Sequence, residues 1–249
     1  MSARTLSGKT ALVTGAARRL GAGIARALHA AGANLIVHYR ESAEDAQRLC
    51  AELNAARPSS AHAIGQDLVD TSRLARLVDA ALERTGRLDV LVNNASTFYP
   101  TPLGAIDEAQ WDDLIGTNLK APLFLAQSAA PALAVNHGVI INMLDVHARR
   151  PLRGHPVYCA AKAGLAMLTR SLARELGPAV RVNGVAPGTI LWPVQGLDER
   201  IKAQIIGETA LKRQGSVADV ADCVVYLARD AVYVTGEIIT VDGGRSLGW

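Results

Sequence analysis

Short apolar runs alternate with longer amphipathic stretches along the chain. The runs are Lys9–Thr14, Asn34–Tyr39, Ala61–Gln66, Leu88–Asn93, Val139–Leu144, Arg181–Ala186 and Glu237–Val241. In Val139-Ile-Ile-Asn-Met-Leu144 the apolar residues are almost continuous rather than placed at every second position. That pattern predicts a strand buried on both faces, as in a parallel sheet. Helical patterns lie between the runs, over about Ile24–Ala31, Glu44–Ala56, Thr71–Thr85, Ile106–Asn136, Pro156–Leu176 and Ser216–Arg229. Thr71 and Ser216 are expected to cap their helices. Pro156 suits a first helical turn, whereas Pro122 and Pro131 should break or kink the long fourth helix. Ile190–Arg213 is less regular, holds Trp192, Pro193 and Gly196, and reads as a lid over the substrate. Alternating β and α segments imply an α/β fold with a parallel sheet, as one domain over residues 1–249.

Composition supports this picture and removes several alternatives. The 249 residues are 49% hydrophobic and 20% charged, enough for one ample core. The net charge is only +3 and the basic residues are scattered, unlike the dense stripe of a nucleic-acid binder. No apolar run approaches the length of a membrane span, and no signal peptide is visible after Met1. Cys50, Cys159 and Cys223 are widely spaced and odd in number. They read as free thiols, which points to a reducing, cytoplasmic setting. The six histidines show no metal-ligand spacing.

The candidate chemistry gathers at the C-terminal ends of the apolar runs. After the first comes Gly15-Ala-Ala-Arg18-Arg19-Leu20-Gly21, then a helix. Strand, glycine-rich turn and helix N-terminus together make a cradle for a pyrophosphate, although a tight turn alone needs the same glycines. The second run ends in His38-Tyr39-Arg40, with Ser42 close behind. An acid here would accept from a ribose hydroxyl, whereas a guanidinium suits a 2′-phosphate, so the expected cofactor is NADPH. Glu41 complicates that reading. Asp67-Leu68 follow the third run, Asn94-Ala95-Ser96 the fourth, and Pro187-Gly188-Thr189 the sixth. Asn118 lies inside a helical pattern where asparagine has poor propensity, which suggests a hydrogen-bonding duty or plain solvent exposure. Tyr158 and Lys162 are four apart and share a helix face. An ammonium beside a phenol should lower the tyrosine pKa towards working pH. Asp145 arrives at the same place from the fifth strand.

Taken together, Thr14-Gly15…Gly21, Asp67, Asn93-Asn94-Ala95, Asn118, Tyr158-x-x-x-Lys162, Pro187-Gly188 and Asp242-Gly-Gly resemble the short-chain dehydrogenase/reductase family over nearly the whole chain. The resemblance implies a Rossmann-type, doubly wound, seven-stranded parallel sheet in three layers, strand order 3-2-1-4-5-6-7, usually in a homotetramer. It assigns Asn118, Asp145, Tyr158 and Lys162 to catalysis. Tyr158 and Lys162 are also counted among the cofactor residues, with those at the strand ends. Two departures narrow it. Arg19 stands where the family's loop has a glycine, and Asp145 stands where the family has its catalytic serine, 13 residues before Tyr158. Both departures, with Asn93–Leu103, resemble the pteridine reductase branch. A pterin or folate substrate would then meet Arg19, Ser96, Phe98, Asp145, Tyr158 and Trp192, with Phe98 stacking on the pterin. A 3-oxoacyl or other carbonyl reductase and a non-catalytic NADP-binding sensor are the alternatives.

Overall fold

The computed structural model describes residues 5–192 and 196–248. Its strands are β1 (Thr10–Val13), β2 (Asn34–Tyr39), β3 (Ala61–Gly65), β4 (Val90–Asn93), β5 (Val139–Met143), β6 (Arg181–Pro187) and β7 (Ile238–Val241). They form a single parallel sheet of order β3-β2-β1-β4-β5-β6-β7. The helices are α1 (Arg19–Ala30), α2 (Ala43–Ala56), α3 (Leu74–Thr85), α4 (Glu108–Ile115), α5 (Ala121–Val135), α6 (Pro156–Leu176), α7 (Glu199–Glu208) and α8 (Val217–Arg229).

The continuous apolar runs exist because both sheet faces are covered. In β1, Ala11 and Val13 pack towards α1, α2 and α8, while Leu12 packs towards α3 and α5. β4 and β5 repeat this, with Leu91 and Ile140 on the α3–α5 side and Val92 and Ile141 on the other. β1, β4 and β5 are buried throughout, whereas the edge strands β3 and β7 are buried only in part. α1 and α8 touch closely at Gly23, where a Cβ would lie 2.0 Å from Val217 Cγ1.

Local departures from the sequence pattern have local causes. The stretch read as one kinked helix is α4, then a five-residue π turn over Gly116–Lys120, then α5. The Ala121 N–H bonds back to Gly116 O, five residues away, and Pro122 enters α5 beside its N-terminus, where its missing donor costs least. Pro131 lies within α5 without ending it. Thr71 does not cap α3; it opens a 3₁₀ turn, Thr71–Arg73, that leads into it. Ser216 does cap α8, in a reciprocal box with Asp219. The segment read as a lid contains α7, a surface helix with no buried residue. Pro193, in the same segment, lies outside the described residues.

Chain order reverses at β1, which pairs with β2 on one side and β4 on the other. Loops leaving the C-terminal ends of these strands part to opposite faces, and the crevice between them is where open α/β sheets take ligands.

Candidate active site

Two adjoining cavities open at that edge. The larger, about 420 Å³, is lined by Gly15, Arg18, Arg19, Leu20, Gly21, His38, Arg40, Asp67, Leu68, Asn94, Ala95 and Ser96, with Thr97 and Thr117. Its floor is a turn that folds tightly on itself. A Cβ on Gly21 would meet Gly15 O at 2.2 Å and Asn94 Nδ2 at 2.6 Å. Asn94 Nδ2 donates to Thr14 O at 2.8 Å and Gly15 O at 3.2 Å, tying the ends of β1 and β4 together. Arg19 has φ +52°, in the left-handed region that a glycine enters freely and an arginine only with strain. Its guanidinium donates to Trp192 O at 2.9 Å, which ties the turn to the segment after β6.

His38 holds this turn from below. The Gly15 N–H donates to His38 Nδ1 at 3.2 Å, which puts the ring proton on Nε2, 2.9 Å from Gln66 O. Burial lowers the His38 pKa to about 4, so the ring is neutral. Arg18 pairs with Asp45, and Arg40 with Glu41 at 3.4 Å. Tyr39 and Ser42 are not brought to the cavity wall. The Tyr39 ring turns across β3 instead, where a Cβ on Gly65 would meet it at 2.8 Å.

The smaller cavity, about 220 Å³, shares Arg19, Leu20, Asn94 and Ser96 with the first and adds Asp145, Tyr158, Lys162, Pro187, Gly188, Ile190 and Leu191. Thr189 is not on it; its hydroxyl accepts from Arg245 and it lines a separate cavity beside β7. Tyr158 Oη donates to Asp145 Oδ2 at 2.9 Å, while Asp145 Oδ1 accepts the His147 N–H at 2.8 Å. Lys162 is buried one turn further along α6 and donates to Met143 O at 2.9 Å. Its ammonium lies 5.6 Å from the centre of the Tyr158 ring. Asn118 is fully buried in the π turn. It donates to Thr97 O at 2.9 Å and Leu114 O at 3.0 Å, and accepts from Ser96 Oγ at 2.7 Å.

The expected electrostatic effect of Lys162 on Tyr158 is overturned in this state. Burial pushes the phenol well above its ordinary pKa, the Asp145 charge and hydrogen bond push the same way, and a Ser96 hydrogen bond opposes them only slightly. The carboxylate touches the phenol while the ammonium is turned to a backbone carbonyl, so the nearer charge prevails. Burial also lowers Lys162 to about 8, against the pull of Asp145.

Phe98 is 52% exposed and is not among the residues lining either cavity. It stacks on His155 at 4.7 Å and meets the Tyr158 ring edge-on at 4.8 Å. It is therefore not a core residue beneath the loop.

A family model described as enoyl-(acyl carrier protein) reductase matches residues 15–246. Pteridine reductase 1 of Leishmania tarentolae is 41% identical over 95% of this chain and 96% of its own. The chain belongs to the short-chain dehydrogenase/reductase family. A 3-oxoacyl-(acyl-carrier-protein) reductase of Staphylococcus aureus is 39% identical over 95% of this chain and 97% of its own. A solved structure from Sinorhizobium meliloti, titled a putative short-chain alcohol dehydrogenase, superposes with a TM-score of 0.93 at 35% identity, covering 98% of this chain and 99% of that one. The protein is thus an oxidoreductase of this family, and no described helix is long and apolar enough to cross a membrane.

The nicotinamide dinucleotide that the family implies fits the larger cavity. The N-terminus of α1 has no side-chain cap and no acid in its first turn, which leaves its N–H groups and positive dipole end for an anion. The Thr117 hydroxyl on the cavity wall is buried with no hydrogen-bond partner. Thr97, Thr117, His147 and His155 escaped the sequence reading of site residues. Only folding shows that the π turn aims Thr117 at the cleft and that His155 backs Phe98, since neither spacing matches a known motif.

Proposed function

We propose that the protein is an NADPH-dependent pteridine reductase, adding hydride to a ring C=N of a dihydropterin, pterin or dihydrofolate. The observation that carries this reading is the join of Asp145 to the Tyr158 hydroxyl, beneath an exposed Phe98 that meets the same tyrosine edge-on. A flat heteroaromatic gains from an aromatic face, with ring pairs worth about 0.5–1.5 kcal/mol beyond burial. A flexible acyl chain has no face to stack. A carbonyl reductase also needs a neutral hydroxyl where negative charge grows on oxygen, and a carboxylate there would oppose that charge.

The bound cofactor supplies the hydride. Tyr158, kept protonated by its raised pKa, holds the proton for the reduced ring nitrogen, and Asp145 orients the phenol. Lys162 contributes positive charge beneath the site while it stays protonated. Arg40, on the cavity wall with no acid at Tyr39, favours a 2′-phosphate and hence NADPH over NADH. Trp192, through its carbonyl bond to Arg19, closes the substrate side. The cytoplasm suits the three free thiols Cys50, Cys159 and Cys223. A homotetramer accords with Phe124 on α5 and Met167 on α6, both exposed, and size-exclusion with light scattering tests it.

A second reading, 3-oxoacyl reduction, is favoured by the Staphylococcus relative. NADPH oxidation with dihydrobiopterin, dihydrofolate, folate and an acetoacetyl thioester separates the two. Turnover of the thioester alone would overturn the pteridine reading.

A further inference from the structure

Three buried hydroxyls have no hydrogen-bond partner among the described residues, those of Thr10, Thr101 and Thr117. Such a group forfeits its bonds to water and gains nothing in return. Of the three residues, only Thr117 lines either of the two cavities at the sheet edge. Elsewhere the chain settles hydroxyls on helices in one way, by donating to the carbonyl four residues back. Thr85 donates to Ala81 O at 2.9 Å, Ser128 to Phe124 O at 3.0 Å, Thr169 to Leu165 O at 2.8 Å and Thr209 to Ile205 O at 3.0 Å. The equivalent partner of Thr117 is Asp113 O, and no such bond forms. That carbonyl, where α4 passes into the π turn, accepts the Gly116 N–H instead. The next residue in the turn, Asn118, has its amide fully engaged by Ser96, Thr97 and Leu114. The π turn thus uses one polar side chain to dock itself and leaves the other unspent on the wall of the cavity.

We propose that Thr117 is a cofactor-binding residue whose hydroxyl donates to a ring nitrogen of the adenine. The assignment rests on the reading of the larger cavity as the dinucleotide site. Within that cavity the other parts of the cofactor have their places. The Gly15–Gly21 turn and the N-terminus of α1 suit the pyrophosphate, and Arg40 marks the outer ribose. Thr117 does not line the smaller cavity of Tyr158 and Lys162, so it does not meet the nicotinamide. It lies instead towards the exit of β3, because a Cβ on its neighbour Gly116 would touch Val69 Cγ1 at 3.4 Å. Asp67 and Leu68, just before Val69, share the same wall. Adenine ring nitrogens without a hydrogen only accept, and a threonine hydroxyl can donate. Hydroxyl and methyl exchange places by one rotation between staggered rotamers, so the oxygen turns to the wall when the base arrives. The cofactor then supplies the partner that the fold withholds.

The test is Thr117→Val, which keeps the shape of the side chain and removes the hydroxyl, and it needs no turnover. Without cofactor the variant should be the more stable protein, with Tm raised by about 2–4 °C, because a buried orphan has been removed. Its Kd for NADPH, measured by titration calorimetry on the whole protein, should rise about 3–10-fold, the worth of one neutral hydrogen bond. The Kd for ADP-ribose, which carries the adenine but no nicotinamide, should rise by the same factor. Thr117→Ser keeps the hydroxyl and should bind both ligands within about 2-fold of the wild type. A raised Tm with unchanged Kd would make the hydroxyl a tolerated defect, and a lowered Tm would show that it holds the turn together. Either result overturns the proposal, as does a loss of affinity confined to NADPH or shared by Thr117→Ser. A wild-type protein that binds neither NADPH, NADH nor ADP-ribose would instead overturn the dinucleotide reading of the cavity. Normal wild-type binding left untouched by Thr117→Val would overturn the role of Thr117 alone.

Discussion

The two cavities sit side by side on one sheet edge but are built in different ways. In the cradle proposed for the cofactor, neutral hydrogen bonds tie the wall together: Asn94 to the β1 end, the Gly15 N–H to His38, and the Asn94 and Ala95 N–H groups to Thr14 Oγ1. Its arginines sit at the rim, where their ion pairs are exposed and weak. In the proposed reaction centre, Asp145 touches Tyr158, and Lys162 is buried one turn along α6 with its ammonium 5.6 Å from the centre of the Tyr158 ring. There the geometry is fixed while the charges compete. A cradle needs shape, and a proton-transfer site needs groups whose pKa values are displaced by their surroundings.

That contrast predicts unequal responses. The largest belongs to Tyr158→Phe, which should cut turnover by about 10²–10⁴-fold while leaving the NADPH KM within a few-fold, because general acid catalysis is worth that much and the phenol supplies chemistry rather than affinity. Steady-state kinetics at saturating cofactor checks it, and wild-type turnover would show that the two regions are not divided as described.

Next is Arg40→Ala. Loss of a charge-assisted phosphate contact costs roughly 1.5–3 kcal/mol, or about 10–100-fold in NADPH KM. The KM for NADH should change little. Equal kcat/KM for both cofactors in the unmutated enzyme would remove the argument from Arg40.

Acid and alkali should act on different regions. His38 has a folded pKa near 4 against an ordinary 6.5. Below pH 6.5 the unfolded chain takes up a proton that the folded chain refuses. Stability of the cofactor-free protein should therefore fall between about pH 6.5 and 4, by up to roughly 3 kcal/mol from this ring. Lys162 works in the other direction, with a folded value near 8 against 10.5. Between those values the unfolded chain keeps the proton and the folded chain releases it. Stability from this residue thus rises as pH rises through that window, while activity falls as the ammonium is lost. Urea titrations and kcat profiles over pH 4–10 read both limbs. An activity limb with no decline above pH 8 would mean that Lys162 holds its proton in the working complex.

The smallest effect is expected for Phe98→Ala. Half of the ring is exposed, so Tm should move by only a degree or two, while pterin KM rises about 3–10-fold. A large fall in Tm with unchanged pterin KM would return Phe98 to a structural role.

The cradle was the more legible region in the sequence, and its physics explains why. A turn packed so closely that a Cβ on Gly21 would lie 2.2 Å from Gly15 O leaves the sequence almost no choice at that position. Continuous apolar strands were equally readable, because a sheet covered on both faces tolerates few polar residues. At the reaction centre the residues could be read but not their balance. Tyr158, Lys162 and Asp145 were named from spacing, yet the spacing does not reveal that Lys162 turns to Met143 O or that burial dominates the phenol. Helical periodicity also missed the π turn, whose cause is the docking of Asn118 onto Thr97 and Ser96, far along the chain. Tyr39 and Thr189 were placed at the right strand ends, but their side chains are drawn away by Gly65 and Arg245.

The central claim is that Asp145 adapts this site to ring C=N reduction, and Asp145→Ser tests it most directly. The measurement is kcat/KM for dihydrobiopterin and for an acetoacetyl thioester, in both proteins, across pH 5–8. The account predicts that the unmutated enzyme prefers the pterin, and that the variant loses pterin turnover without becoming an efficient ketone reductase. Full pterin turnover by Asp145→Ser at every pH would contradict it.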